Sequence, residues 1–322
     1  MNSLSFVGID LGGTKCHGAL AGEHGSVIAE ARRSTGGGGG AVGAVRDVWN
    51  TLSERAEREG LMVTQTVVGV PAVVNQRRGR VTRGPNVGWG DFETREILPE
   101  IGSVFFENDA NLAAFGELSS GQMRGISNFA LFSIGTGFGG ALVIGQRVVT
   151  GHRGGAGEFG ELPLSAPSGC PDDPPSQLEG LVSGLGIAHA ATRLAARQHA
   201  GGLGFELSSR GVIEAAAQGD SNAEKILDPV LEAIGHLTAT LAYIVEPRAV
   251  VLDGSVGRAL ARFVGRIEEF AGRWAERVPS VYVSQLEPNS TVRGAIDLAR
   301  VLAAPGDGSG LRGLANKGIE RD

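Results

Sequence analysis

Apolar and polar positions fall into two kinds of period along the 322-residue chain. Leu4 to Ile9 is a short apolar run of strand character; Asp10–Lys15 interrupts it as a glycine turn, and Cys16–Leu20 returns as a second strand. The five glycines after Thr35 read as a flexible loop. Val42, Val45, Trp49, Leu52 and Ala56 then recur at spacings of three and four, which predicts an amphipathic helix over Val42–Glu59. Strands are expected over Thr66–Val70, ending at Pro71-Ala72, and over Val104–Glu107. The second of these stops abruptly in Glu107-Asn108-Asp109-Ala110-Asn111, and Ala110–Gly121 follows as a helix. A carboxylate at the end of a buried strand lies at the rim of a parallel sheet, where open α/β folds bind ligands. Asp109 is there suited to general-base work. A plain helix cap at Asn108 or Asp109 explains the same letters.

Phe129–Ile134, Gly135–Gly140 and Ala141–Ile144 repeat the strand–turn–strand pattern of the first twenty residues. Gly-Ile-Asp-Leu-Gly-Gly-Thr followed by Ala-Leu opens the chain; Ser-Ile-Gly-Thr-Gly-Phe-Gly-Gly followed by Ala-Leu stands here. The repeat suggests a duplicated core whose two glycine turns face each other across a cleft. Helices are expected over Ile187–His199, Ser208–Gly219 and Ser221–Glu246, the last stopping before Pro247. Ala249–Leu252 reads as a buried strand entering an Asp253–Gly257 turn. Helix Arg258–Arg277, strand Val281–Gln285 and helix Thr291–Ala303 complete the pattern, and a polar, glycine-rich tail follows.

Composition narrows the function classes. Glycine supplies 52 residues, more than twice the usual share of roughly 7%, and clusters beside apolar runs as tight turns and close backbone approaches require. A net charge of −6 argues against a nucleic-acid partner, which needs a basic footprint. Cys16 and Cys170 make no disulfide framework, and neither a signal peptide nor a long apolar segment is present. The expectation is a cytoplasmic protein with no membrane partner.

Gly12, Gly13 and Thr14 offer backbone N–H groups that an anion can approach without Cβ obstruction; Thr136, Gly137, Gly139 and Gly140 offer the same. Neither turn is a Walker loop, since no Gly-Lys-Ser/Thr is present, and neither opens a helix as a dinucleotide fingerprint does. Two such turns with Asp10 at the edge of one suit a Mg2+-bound polyphosphate.

Four segments together resemble the signature segments of the ROK family of sugar kinases. They are Asp10–Lys15, Glu107–Asn111, Gly135–Gly140 and Gly157-Glu158-Phe159-Gly160. The resemblance implies an α/β protein of the actin-like, ribonuclease H-like ATPase fold, with two domains flanking a cleft. It also implies ATP and Mg2+, a sugar substrate and a homodimer. The expected division is a small domain over 1–110 completed by a helix near 291–303, a larger domain over 111–290, and a disordered tail over 304–322. Position by position, Asp109 matches the catalytic base, Asn108 a sugar-hydroxyl partner and Asn86 a substrate-loop asparagine. Glu158 and Glu179 match carboxylates that hold sugar hydroxyls. Asp10, Gly12, Gly13, Thr14, Lys15, Thr136 and Gly137 match the phosphate side, with Asp10 on the metal through water. Gly254 and Ser255 match the turn under the adenosine.

Departures from the family pattern bear on the substrate. Ser168–Pro175 retains only Cys170 of the usual zinc-binding run, and Glu161 stands in place of its histidine, so no zinc is expected. Glu161 converts a possible donor beside the sugar into an acceptor that favours a cation, and Ala72 adds a methyl where the family has glycine. Both point toward an amino hexose as well as a neutral one; drift after loss of zinc explains them equally. The expected activity is ATP-dependent phosphorylation of a hexose or amino-hexose 6-hydroxyl. A sugar-binding regulatory protein without catalysis and an inorganic-polyphosphate donor stay open as alternatives. A ROK-type repressor is disfavoured, because the first core strand starts by Leu4 and leaves no room for a DNA-binding domain.

Overall fold

Strand β1 (Ser3–Leu11) is buried on both faces, with Val7, Ile9 and Leu11 on one side and Phe6 on the other. It lies at the middle of a five-stranded sheet of order β3-β2-β1-β4-β8. The partners are β2 (Lys15–Gly22), β3 (Val27–Ser34), β4 (Leu61–Val70) and β8 (Val104–Asn108). The computed structural model describes residues 3–36, 40–82, 92–93, 98–164, 177–197 and 203–304. The chain groups into two compact units: Met1–Ser127 with Leu142–Ala156 and Gln285–Asp322, and Asn128–Ala141 with Gly157–Ser284.

In the first unit, β2 and β3 add antiparallel to one side of β1, while β4 and β8 add parallel to the other. Helix α1 (Gly40–Arg58) turns Val45, Val48 and Leu52 into the core formed with Val7, Ile9 and Leu11. Helices α2 (Asp109–Ser119) and α9 (Ser290–Ala303) pack tightly on each other. Glycines make that approach possible: a Cβ on Gly294 would collide with the Leu112 carbonyl, and one on Gly116 would come within 2.7 Å of the Ser290 carbonyl. A small three-stranded sheet comprises β5 (Val74–Asn75), β6 (Arg80–Val81) and β7 (Phe92–Glu93).

The second sheet has the order β11-β10-β9-β12-β13. Its strands are β9 (Phe129–Ile134), β10 (Phe138–Ile144), β11 (Arg147–Val148), β12 (Ala249–Asp253) and β13 (Ser280–Val283). The pairs β9/β12 and β12/β13 are parallel, as β1/β4 and β4/β8 are in the first sheet. One topology thus occurs twice, as the repeated strand–turn–strand pattern suggests. Helices α3 (Glu179–Val182), α4 (Gly184–Arg197), α5 (Ser209–Ala216), α6 (Ser221–Ile244), α7 (Gly254–Ala259) and α8 (Val264–Gly272) belong to this unit. Asp220 caps α6 by accepting from the N–H groups of Asn222 and Ala223.

Strand β3 carries no clear hydrophobic alternation because it is an edge strand, with Glu30, Arg32 and Arg33 turned to solvent. The helix expected over Arg258–Arg277 is α7, a short 3-10 turn (Leu260–Phe263) and α8, so that Gly254 and Ser255 open a helix rather than form a separate turn. Helix α2 packs against α9, and both belong to the first compact unit, whose opening segment runs to Ser127. The tail beyond 304, the middle of the glycine loop (37–39) and the stretch holding Cys170 lie outside the described residues.

Candidate active site

Register places the first unit's polar groups along one edge of its sheet. Asp10 on β1 sits opposite Gly69 on β4, and Gly69 opposite Glu107 on β8. Asp10 and Glu107 are therefore two strands apart in one row, roughly 10 Å by the usual strand spacing. Asn108 and Asp109 follow directly at the strand-to-helix junction. Asn108 is the N-cap of α2: its Oδ1 accepts from Asn111 N at 3.0 Å, and its Nδ2 donates to the Ala72 carbonyl at 3.3 Å. Of the two cap candidates in this segment, Asn108 does the capping. Asp109 is half-buried at the first helical position, with Oδ1 accepting from Ala110 N at 2.8 Å.

Beneath them lies Glu107, 1% exposed. It accepts from Asn108 N at 2.9 Å, Asn111 Nδ2 at 3.0 Å and Gln76 Nε2 at 3.0 Å. Burial pushes its carboxyl above the ordinary glutamate value, against the pull of those three donors. It ties the residues on either side of Asp109 to the β5 segment.

Asp10 is held by a residue that the sequence pattern did not single out. Asn289 Nδ2 donates to Asp10 Oδ2 at 3.0 Å, while Asn289 Oδ1 caps α9 by accepting from Val292 N at 2.7 Å. His17 stands opposite Asp10 in the β1/β2 register, with Nδ1 3.4 Å from Asn289 Nδ2 and Nε2 2.9 Å from Glu30 Oε2. Burial lowers the His17 pKa, which favours the neutral ring. The signal available in the sequence was an Asn two residues before the expected Thr291 helix start, a cap signature.

Both glycine turns have their carbonyls tied and donors left over. In the first, Gly13 O accepts from Thr35 Oγ1 at 2.7 Å and Thr14 O from Thr35 N at 3.1 Å, while Gly12 N donates to Lys15 O at 2.9 Å. The N–H groups of Gly13 and Thr14 make no hydrogen bond among the described residues. Lys15 opens β2 with its side chain exposed. In the second, Gly135 O accepts from Gly184 N at 2.8 Å and Thr136 O from Leu185 N at 3.4 Å, both from the start of α4. The Thr136 and Gly137 N–H groups are left in the same condition. Backbone donors without acceptors, on turns whose carbonyls are turned away, suit an anion. Asp253 on β12 pairs with Ser133 on β9, so Gly254 leaves the sheet beside the second turn. Its φ of +79° and its contact with the Ile134 carbonyl admit no Cβ. Asp253 itself is anchored by Arg258 Nε at 3.0 Å.

Three carboxylates gather in the second unit. Glu158 is half-buried and its pKa is raised, first by burial and then by the negative charges of Glu161 and Glu179. Glu179 accepts from Phe138 N at 2.8 Å, which fixes it beside the strand leaving the glycine turn. Glu161 accepts from Gln177 Nε2 at 2.6 Å. Asn86 lies outside the described residues. Among the described residues no group of three His, Cys, Asp or Glu side chains is placed to hold a metal, and no helix is long and apolar enough to cross a membrane.

Residues 6–301 match the ROK family. The chain belongs to the ROK family. A glucokinase of Halalkalibacterium halodurans is 28% identical over 272 residues, covering 80% of this chain and 82% of that protein. The bifunctional enzyme NanE/NanK of Brucella melitensis is 31% identical over 297 residues; the match covers 90% of this chain and 53% of that longer protein. Among solved structures, a ROK family glucokinase from Streptomyces griseus in complex with glucose and AMPPNP superposes with a TM-score of 0.77 at 27% identity, covering 92% of this chain and 99% of that one. The two α/β units thus have the actin-like ATPase fold of the ROK sugar kinases. Within this ROK chain, the residues that pattern reading passed over are those that hold others in place: Glu107 and Gln76 around Asp109, Asn289 and His17 around Asp10.

Proposed function

We infer that the protein is a sugar kinase that transfers the γ-phosphoryl group of ATP to a hydroxyl of a hexose or amino hexose, the 6-hydroxyl being the acceptor. The observation that carries the reading is Asp109, a half-buried carboxylate at a strand-to-helix junction that Glu107, Asn108 and Asn111 lock in place. Relatives named glucokinase over most of the chain, and a glucokinase structure with glucose and AMPPNP at a TM-score of 0.77, support it.

Asp109 accepts the proton of the attacking hydroxyl as that oxygen approaches the γ-phosphorus in line. The transition state of such transfers is loose, so positioning and charge neutralisation supply most of the acceleration. Asn108, Asn86, Glu158 and Glu179 hold the sugar hydroxyls, each carboxylate being able to accept two hydrogen bonds from a vicinal diol. Gly12, Gly13, Thr14 and Lys15 on one turn and Thr136 and Gly137 on the other bind the phosphates; Gly254 and Ser255 lie under the adenosine. Mg2+, when bound, neutralises phosphate charge. Asp10 fits it through a bound water, a hard oxygen ligand whose orientation Asn289 sets. Glu161 tunes the pocket toward an ammonium-bearing sugar. Loss of the family's zinc ligands at Glu161 and around Cys170 leaves the reading without zinc. Use of ATP sets the reaction in the cytoplasm, and family resemblance favours a homodimer.

ADP release tests this with Mg-ATP against neutral hexoses, 2-amino and 3-amino hexoses and their N-acetyl forms. Sugar-dependent turnover is expected, with a preference for amino over neutral sugars if Glu161 faces the substrate. A panel-wide rate no higher than that of Asp109→Asn would contradict the ATP-kinase reading, and inorganic polyphosphate would be the next donor to try.

A further inference from the structure

The β5–β6 ribbon has two unlike faces. Val74 and Val81 oppose each other in register and are both 1% exposed. Asn75 and Arg80 form the next pair, and Thr82 N donates to the Val73 carbonyl at 2.9 Å. Strand alternation then puts Val73, Asn75, Arg80 and Thr82 together on the opposite face. A cavity of about 490 Å³ is lined by these four residues, by Arg78 from the connecting turn and by Arg153. Gly154 explains how Arg153 comes there: it has φ +92° and abuts the Val74 carbonyl so closely that no Cβ fits, so its segment is pressed against β5.

The charge around this cavity opposes that of the chain. Positions 73–82 contain Arg77, Arg78 and Arg80 and no acid; positions 147–156 contain Arg147, His152 and Arg153 and no acid; the whole chain carries −6. Arg78 and Arg153 make no ion pair among the described residues, while Arg80 has another partner and lies opposite Glu93 in the β6/β7 register. Guanidinium groups match phosphate oxygens in geometry and charge, and Arg78 and Arg153 are the two on this cavity with no ion pair among the described residues. The cavity is within the range of roughly 300–1,000 Å³ typical of small-molecule sites, so it has room for more than a bare anion. Asn75 spends Oδ1 on Arg78 N at 3.2 Å and Thr82 spends its hydroxyl hydrogen on the Val73 carbonyl at 3.1 Å. Among the described residues Asn75 Nδ2 and the Thr82 oxygen lone pairs have no other partner and can meet hydroxyl groups, with Val73 as an apolar wall.

We propose that this cavity is a second ligand site, distinct from the residues around Asp109, that binds the phosphate monoester of a sugar-sized polyol. Arg78 and Arg153 take the phosphate; Asn75 and Thr82 take hydroxyls. A hexose 6-phosphate as the natural ligand rests on the kinase reading, because it is that reaction's product; the anion site does not.

Calorimetric titration of the full chain, at low salt and without nucleotide or Mg2+, tests it with glucose 6-phosphate and inorganic phosphate as probes. Saturating glucose in the cell keeps the sugar site filled. Glucose 6-phosphate should bind the wild type more tightly than inorganic phosphate does, and Arg78→Gln/Arg153→Gln should weaken it about tenfold or more. The double variant should keep the wild-type melting temperature and its glucose-dependent turnover. Equal affinity of both proteins for glucose 6-phosphate, or a wild-type affinity no tighter than for inorganic phosphate, would overturn the proposal. Absence of kinase turnover in the wild type would count against the kinase reading alone, since the titration needs no catalysis.

Discussion

Glu158 keeps its proton to higher pH than a solvated glutamate, because it is half-buried and faces the charges of Glu161 and Glu179. Its ionised form accepts hydroxyl hydrogen bonds best, so sugar binding should weaken as pH falls through its raised pKa. Removing the Glu161 charge lowers that pKa. Glu161→Gln is therefore expected to move the acid limb of the pH–KM profile to lower pH, with the kcat limb in place; an unmoved KM limb would dissociate Glu161 from the pocket. Asn289 allows a sharper test, since its two side-chain ends do different jobs. Asn289→Asp keeps the α9 cap but sets a carboxylate against Asp10. The Mg2+ concentration for half-maximal turnover should change about tenfold at unchanged sugar KM, and the like-charge contact should lower stability in the absence of Mg2+. Asn289→Ala should in addition cost about 1 kcal/mol of stability as a lost cap. A Mg2+ dependence equal to wild type in Asn289→Asp would remove Asn289 from the metal side. The role of Asn289 had no sequence signal beyond a cap-like letter, because its hydrogen bond to Asp10 spans 279 positions.

At the scale of elements, the strongly periodic pieces were legible. The strand β1, the helix α1 and the β8–α2 junction follow from apolar spacing and from the abrupt polar stop at Glu107–Asn111. Strand β3 was not, since an edge strand has no second face to bury and so no hydrophobic alternation to read. The α7–α8 break at Leu260–Phe263 was also hidden, because Leu260 and Phe263 are buried and continue the apolar spacing through it. The α2–α9 pair, which carries Asp109 on one helix and the Asn289 cap on the other, depends on Gly116 and Gly294. Gly294→Ala, harmless or favourable in an isolated helix, should here force the backbones apart and lower stability by about 1–3 kcal/mol in urea unfolding. No loss of stability would mean that the helices are less closely packed than their glycines indicate.

For the whole molecule, the sequence repeat around Gly12–Thr14 and Gly135–Gly137 anticipated two sheets of one topology, and their strand orders agree strand for strand. What it could not reveal is how the chain divides between the units, because Leu142–Ala156 and Gln285–Asp322 return to the first unit after long excursions. Nor could it show that the arginines of 73–82 and 147–156 border one cavity. The central claim is that Asp109 deprotonates a sugar hydroxyl for attack on ATP. Phosphorus NMR of the reaction products, with the preferred sugar, Mg-ATP and either wild type or Asp109→Asn, tests it most directly. Wild type should give a sugar phosphate ester at the 6-position with stoichiometric ADP, and Asp109→Asn should give neither over the same period. Ester formation by Asp109→Asn at the wild-type rate, or ADP from wild type with inorganic phosphate in place of the ester, would contradict it.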